Sequence, residues 1–432
     1  MAENRYKQYL TALQGEYQKI SRLDFLQPDG SVAFSLYGRG ATGEWAVRKS
    51  EAFIQSGTLN VAMQDGQRRT ATIELSNLDG EFDYNVNKVW YGQALRLSMG
   101  ILLPDGSPFW LPQMVGVISS PSSVFAPNRR TVTFPLVDKW ANLDGSLGGT
   151  LRYSYTVKAG ENIFEVIRNI LKMNKYNYSS QTQTPAGQEV DCATPIFTNY
   201  YDDLTYIVAG SDGNTTQEVN YLTTPYTITE EAGGNLANII LELNSMLNGL
   251  IGYDATGALR LDASQQNISD LNKPTLWTFS PTEKHLLSVS EQIGNTDVVN
   301  AVTVAGTGLS EQSVYGTAVN EDARSDASIK HIGERNLYET NSALWNEKQC
   351  QDYALKLLKD KSVIQKSISI SCGQLFHLQE NGVIAIRRMD KKGSPVERHL
   401  INSFSLPIGE SGQMTINATS IVDIPQFTIK QD

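Results

Sequence analysis

The chain is short of the residues that catalysis and cofactor binding require. Its 432 residues hold three cysteines, Cys192, Cys350 and Cys372, with no metal-like spacing, and an odd number cannot all pair within one chain. Reduced, structural thiols are the expectation. Four histidines, His285, His331, His377 and His399, are scattered without the short spacings of a zinc site or a general base. Gly38, Gly40 and Gly43 cluster before Glu44, but no phosphate-loop lysine and hydroxyl follow them. Asp202-Asp203 and Glu230-Glu231 are adjacent acidic pairs on polar stretches. Neighbours on a strand point to opposite faces, so neither pair makes a two-carboxylate site by itself. No catalytic, cofactor-binding or metal residue is assigned, and neither a cofactor nor an enzymatic activity is expected.

Charge is also scarce. Asp, Glu, Lys and Arg make up 19% of the chain, below the usual quarter or so. Thirty-six basic against 46 acidic side chains give a net charge of −10. Proteins that grip nucleic acid concentrate Lys and Arg, so this balance argues against gripping. It leaves room for nucleic acid to pass a surface that does not hold it. There is no membrane-spanning apolar run and no basic-then-apolar signal segment, so synthesis in the cytoplasm is expected.

What the chain does have is alternation. Residues 1–20 carry Tyr6, Leu10, Leu13, Tyr17 and Ile20 at helical spacing. Such a stripe needs cover, from its own first domain or from a neighbouring subunit. Residues 21–148 switch to period two. Leu59, Val61 and Met63 lead to a turn at 64–67, and Ala71, Ile73 and Leu75 return, which predicts a hairpin. Leu95–Ile101 and Val132–Leu136 repeat the pattern, and Pro28-Asp29-Gly30 and Pro104-Asp105-Gly106 supply turns. Arg68-Arg69 and Arg129-Arg130 each stand beside a turn at a strand start. They read as solvated hairpin ends or as contacts to an acidic neighbour subunit.

Residues 149–285 form a mixed α+β middle region. A helix is predicted from Ile163, Val166, Ile167, Ile170 and Leu171, with Asn162 before it, and a second over about 235–248, stopped at Gly249. Polar stretches over 173–225 read as long loops and short strands. Residues 286–432 return to strands. They include Asn300–Gly306, a segment His331–Arg335, and a helix from about Ser342 to Leu358. Cys350, Tyr353, Ala354, Leu357 and Leu358 share one helix face, with an Asp352–Lys356 pair expected on the solvent side. The expected fold class is mainly β with α+β insertions: two tube-like antiparallel β-barrel or sandwich domains separated by the mixed α/β region.

This order resembles the hub proteins of phage tail tips and baseplates, a family found also in related contractile injection particles. The resemblance rests on Asn300, Val302, Val304 and Gly306, on Ile332, Gly333 and Arg335, on Cys350–Leu358, and on Leu378-Gln379-Glu380-Asn381-Gly382-Val383. In the last element Asn381-Gly382 replaces the Gly-Asp of the family. Gly160, Ile163, Val166, Ile167 and Ile170 resemble the first helix of the insertion between the two tube-like domains. The resemblance implies a homotrimer with pseudo-sixfold symmetry, each chain giving two related β domains to one ring. It further implies a tail tube or distal tail protein, a tail spike or fibre and a tape-measure protein as partners, and DNA that passes without specific binding. The expected location is the tail tip or baseplate of a virion.

Two other readings compete. Tyr155–Ile163 also resembles the opening of a LysM module, which implies a tail protein that binds or degrades peptidoglycan, or a LysM-like scaffold without sugar binding. The third reading is a soluble β-rich carbohydrate-binding protein.

Overall fold

The computed structural model describes residues 2–421 and 427–430, apart from 42, 48–50, 84–85, 87–92, 128, 180–183, 200–204, 210–215, 221, 248, 264–272, 294–297, 308–312, 363–365, 389–395 and 410. Asp202-Asp203 lies outside the described residues. Helix α1 (Ala2–Ala12) precedes β1 (Lys19–Leu26), β2 (Val32–Tyr37), β3 (Phe53–Ala62), β4 (Arg69–Ser76), β5 (Ala94–Leu102), β6 (Pro108–Ile118), β7 (Ser122–Ala126) and β8 (Arg129–Asp138). Gly30 and Gly106, at φ 82° and 78°, take the left-handed conformation that lets the β1–β2 and β5–β6 links turn sharply.

The middle holds β9 (Tyr155–Val157), α2 (Ile163–Leu171), β10 (Ile196–Asn199), β11 (Thr205–Ala209), β12 (Thr216–Asn220), β13 (Ile228–Glu230), α3 (Leu236–Met246), β14 (Leu250–Tyr253) and β15 (Leu259–Ala263). The last third contains β16 (Thr275–Phe279), β17 (Leu286–Ile293), β18 (Ala301–Thr307), β19 (Ser313–Asn320), β20 (Asn336–Thr340), a helix Glu347–Lys361, β21 (Lys366–Cys372), β22 (Val383–Arg387), β23 (Val396–Ile408), β24 (Met414–Ser420) and β25 (Phe427–Lys430).

The expected barrels are not there. One 14-stranded sheet runs through both ends of the chain, in the order β17-β21-β24-β23-β3-β4-β8-β6-β5-β1-β2, with β7, β16 and β22 attached beside it. Among the described residues β17 and β2 end that path and do not pair with each other, so the sheet is open. The joint is the antiparallel pair β3–β23, with Leu59 opposite Leu406 and Val61 opposite Phe404. Those alternating residues are buried and share one face. Joining the two strands merges both halves into one core that includes Leu59, Phe134, Ile370 and Leu406. Helix α1 and the residue after it cover part of that core with Tyr9 and Leu13, both fully buried, and the Tyr9 ring stacks on Phe109 at 5.1 Å between centroids. Its cover is thus its own chain.

The middle region has a core of its own under α2 and α3 and contains a duplication. Thr150, Tyr153, Thr156, Ala159, Gly160, Asn162 and Ile167 are each matched by the same residue type 73 positions later, at Thr223, Tyr226, Thr229, Ala232, Gly233, Asn235 and Ile240. The two units embrace. Strands β9 and β13 pair antiparallel with Thr156 opposite Thr229, so a local twofold axis passes through that pair. Backbone bonds outside the strands obey the same exchange. Ile163 N donates to Leu222 O and Leu236 N to Gly149 O; Gly160 N donates to Thr224 O and Gly233 N to Leu151 O. Asn162 and Asn235 cap α2 and α3 respectively through their side-chain oxygens.

The third core lies between the helix Glu347–Lys361 and β18–β19. This helix starts five residues later than the sequence predicts, because Asn346 caps it by accepting from Gln349 N. Cys350, Ala354 and Leu358 are fully buried, whereas Leu357 is only half-buried. Asp352 is buried, not on the solvent side, and pairs with Lys348 one turn earlier instead of Lys356.

Candidate functional surface on the main sheet

Eight strands of the main sheet lie side by side as β7-β8-β4-β3-β23-β24-β21-β17, every neighbouring pair antiparallel. The first four, numbered by their order in the chain, read third, fourth, second, first. The last four read the same. A four-stranded unit is therefore repeated head to tail, and the internal joint β3–β23 brings a first strand against a third strand. The outer edges of this run are another first strand, β17, and another third strand, β7. Both carry exposed apolar side chains: Leu287 and Ile293 on β17, Val124 and Phe125 on β7, Phe125 being 82% exposed.

One face of these eight strands is the core. The other is built of hydroxyls and amides. Ser288, Ser371, Thr415, Ser405, Asn60 and Thr70 stand in one cross-strand row, and Ser290, Ser369, Asn417 and Ser403 in the next. Asn417 Nδ2 donates to Ser403 Oγ at 3.2 Å. The pattern follows from sequences such as Lys366–Cys372, where serines alternate with Ile368, Ile370 and Cys372. Pro135, Val137, Pro407 and Val124 interrupt the polar rows. The charged side chains on these rows are Glu74 and Arg129, 2.6 Å apart. Arg129 and Ser56 hold the Glu74 carboxyl below its ordinary range.

The arginine pairs divide. Arg129 is exposed beside a turn, as a solvated hairpin end should be. Arg130 reaches Asp83 and lies 5.4 Å from the Phe125 ring. Arg68 and Arg69 overturn both readings made for them, because each is buried within the chain. Arg69, 1% exposed, donates to Gln113 O at 2.8 Å and to Gln379 Oε1 at 3.0 Å, and pairs with Glu380. It thereby ties the β3–β4 hairpin to the loop before β22. Asp138 Oδ2 accepts from Arg68 N and Arg69 N at 2.7 and 2.9 Å, and Oδ1 from Trp140 N. Burial still pushes its carboxyl up to about 6. At the hairpin tip Asp65 Oδ1 accepts from Ile251 N at 2.8 Å, which docks the hairpin on the middle region.

The other singled-out residues have structural partners. His285 and His377 come together around Trp277, with centroids 5.8 and 5.4 Å away. His285 Nε2 is 2.9 Å from Leu13 O, and His377 Nδ1 is 3.1 Å from Tyr9 Oη, so both hold the N-terminal helix segment. His399 is buried apart from them, and His331 caps locally against Ser325 O. Glu230 Oε1 accepts from Asn235 N and Asn238 Nδ2 at the start of α3. Asn300 donates through Nδ2 to Ala327 O and Gly333 O and accepts from Arg335 N, which fastens the segment 327–335 to the head of β18. Cys350 and Cys372 are buried and Cys192 is exposed; burial pushes the thiols of Cys350 and Cys372 up to about 12. Among the described residues no three His, Cys, Asp or Glu are grouped to hold a metal ion, and no helix is long and apolar enough to cross a membrane. In the LysM-like segment the described residues after α2 form not a second helix but turns and then the short strand β10.

No family model matches the sequence. No curated protein matches it either. Solved structures do match. The tail protein from Neisseria meningitidis MC58 superposes with a TM-score of 0.54 at 10% identity, over 93% of this chain and 97% of that one. The 43 kDa tail protein of prophage MuSo2 from Shewanella oneidensis gives 0.51 at 10% identity, over 93% and 98%. The chain has the fold of these two tail proteins.

Proposed function

We propose that the chain is a structural hub of a phage tail tip or baseplate. Three copies form a ring with pseudo-sixfold symmetry that joins the tail tube, through a tube or distal tail protein, to the spike or fibre and lets DNA pass. The observation that carries this is the repeated strand order. The internal joint mates a first strand with a third strand, and among the described residues the outer edges of the eight-strand run offer that same couple again, β17 and β7. Pairing β17 of one copy with β7 of the next repeats the internal joint at every subunit boundary. It also covers Leu287, Ile293, Val124 and Phe125, whose exposure is costly on an edge left open. Two repeats per chain let three identical chains meet a sixfold tube on one side and a threefold partner on the other. The fold shared with the two tail proteins supports the same reading.

The test is the symmetry of the assembled ring, by electron microscopy of the particle or of the full chain mixed with its neighbours. Three chains around six similar lobes are expected. A ring of six chains, or one copy per particle, refutes the proposal.

A further inference from the structure

We propose that Lys139 and Asp191 condense within the folded chain, forming an amide bond between Lys139 Nζ and Asp191 Cγ that ties the main sheet to the middle region. The inference is independent of the ring reading, since every group involved belongs to one copy of the chain.

The two side chains meet at a seam. Lys139 is the first residue after β8, where the chain leaves the main sheet, and it opens the short 3-10 helix Lys139–Asn142 that Asp138 caps. Asp191 follows α2 and is fixed to its end, its N–H donating to Leu171 O at 2.9 Å. Although 52 positions apart, Nζ lies 2.6 and 2.8 Å from Oδ1 and Oδ2. The side chains are 11% and 3% exposed, a rare burial for a lysine. By contrast Lys348, which pairs with Asp352, is 44% exposed. The buried Tyr253 ring covers Nζ on one side, 5.0 Å from its centroid. Little water reaches this site to compete for Cγ.

The contact already holds both reactants of an amide. Two charges kept out of water are a costly arrangement, and passing one proton from Nζ to Oδ2 removes both. The carboxyl then turns about Cβ–Cγ to present its face, and the amine lone pair attacks Cγ. As the Nζ–Cγ bond forms, a second proton passes from Nζ to Oδ2. The Cγ–Oδ2 bond breaks and Oδ2 leaves as water. One N–H and the Cγ=Oδ1 carbonyl remain, so atoms and electrons balance with no oxidant, reductant or activating group. Negative charge gathers on Oδ1 during the attack, and Oδ1 already accepts from Ala193 N at 2.9 Å. Burial, and then the Asp191 carboxylate beside it, raise the Tyr253 hydroxyl well above its ordinary range, so it keeps its proton as a donor toward that carboxyl. Amide formation between free groups in water is uphill, but effective molarities of about 10⁵–10⁸ M for well-oriented groups reverse that balance. The product is a covalent tie in a chain whose cysteines are all unpaired. Tension between the main sheet and the middle region then runs through a bond, rather than through contacts such as Asp65 Oδ1 to Ile251 N.

The test is intact mass and peptide mapping of the full chain, purified folded and then denatured. The expected mass is that of the sequence less one water. Trypsin should leave the Lys139–Trp140 bond uncut, within a branched peptide that also holds Asp191. Mass alone does not decide, because Asp-Gly steps such as Asp65-Gly66 lose water by cyclising; the branch does. Lys139→Arg keeps the positive charge and should show the full mass of its sequence and no branch. Asp191→Asn should reach the same final mass as linked wild type, because its carboxamide gives the same amide with loss of ammonia. The wild-type result needs no variant, so misfolding of either variant leaves the test standing. A wild-type chain that holds its full mass after long incubation in the folded state, or that trypsin cuts after Lys139 once denatured, overturns the proposal. So does a branch that persists in Lys139→Arg.

Discussion

Replacing Arg69 by Met should break the joint between the two halves of the main sheet. Arg69 is 1% exposed, and the side chain of its partner Glu380 is 7% exposed. A pair on the surface contributes about 0–1 kcal/mol. Here Arg69→Met leaves a carboxylate in a nearly dry site without its cation and takes the donor from Gln113 O at the same time. Removing one partner of a buried pair costs about 3–5 kcal/mol. Most of that cost is the stranded charge, so the double variant Arg69→Met/Glu380→Leu should recover a large part of it. The assay is urea unfolding of the full chain, followed by a probe of the main-sheet core such as the fluorescence of Trp277, whose ring lies in that core. Arg69→Met should lower the midpoint of that transition, with a coupling of about 2 kcal/mol or more in the cycle. A single variant within about 0.5 kcal/mol of wild type, or a cycle with no coupling, would refute the claim that this ion pair holds the halves together.

Three further outcomes are expected. Leu358→Ala should cost about 2–5 kcal/mol and Leu357→Ala clearly less, since only Leu358 is fully buried; equal losses on unfolding would show the helix face to be misassigned. Burial lowers His377 and His399 from 6.5 to about 4, so the unfolded chain binds more protons between those values and stability falls as the pH drops from about 6.5 to 4. His377→Gln should flatten that acid slope, measured as unfolding midpoint against pH, and an unchanged slope counts against it. Gly160→Ala and Gly233→Ala, at φ 85° and 92° with open space around an added Cβ, should each cost about 1 kcal/mol from backbone strain alone; a large difference between them would argue against equivalence of the two middle units.

Alternation made the strands legible, and it made one buried and one polar face legible with them. Leu59, Val61, Ile73 and Leu75 lie where period two places them, facing the core. The joining of β3 to β23 was not legible, because two strands some 340 residues apart leave no local sign of who pairs with whom. Two barrels and one open sheet have the same alternation. Arg68 and Arg69 looked like surface residues because they adjoin a turn, and the acid that pairs with Arg69, Glu380, lies in a remote loop. The late start of the helix at Glu347 did have a signal, Asn346 three residues before Gln349. So did the duplication, since Thr-x-x-Ala-Gly-x-Asn occurs at 156–162 and again at 229–235. Self-comparison at a fixed offset finds it; hydropathy does not.

The insertions show what the repeated unit has to keep constant. In the first unit the link from first to second strand is the tight turn 63–68, and in the second it is 294–365, which carries β18, β19, β20 and the helix Glu347–Lys361. The link from second to third strand holds β5 and β6 in one unit and β22 in the other. The middle region occupies the chain between the units. Every elaboration leaves through the ends of strands, and none interrupts the rows of Ser, Thr and Asn. In the proposed ring this division has a mechanical reason. The mating edges must look alike six times to meet a sixfold tube, whereas the links are free to differ and so reduce sixfold likeness to threefold. A single chain then needs no partner to translate one symmetry into the other. An insertion placed in the loop 63–68 should therefore be tolerated on one side of the joint only as far as it spares Asp65, whose bond to Ile251 seats the hairpin on the middle region. Lengthening that loop past Asp65 should loosen the middle region, seen as faster proteolysis at 139–154, while the β3–β4 pairing stays intact. Unchanged proteolysis would show that the hairpin tip does not anchor the middle region.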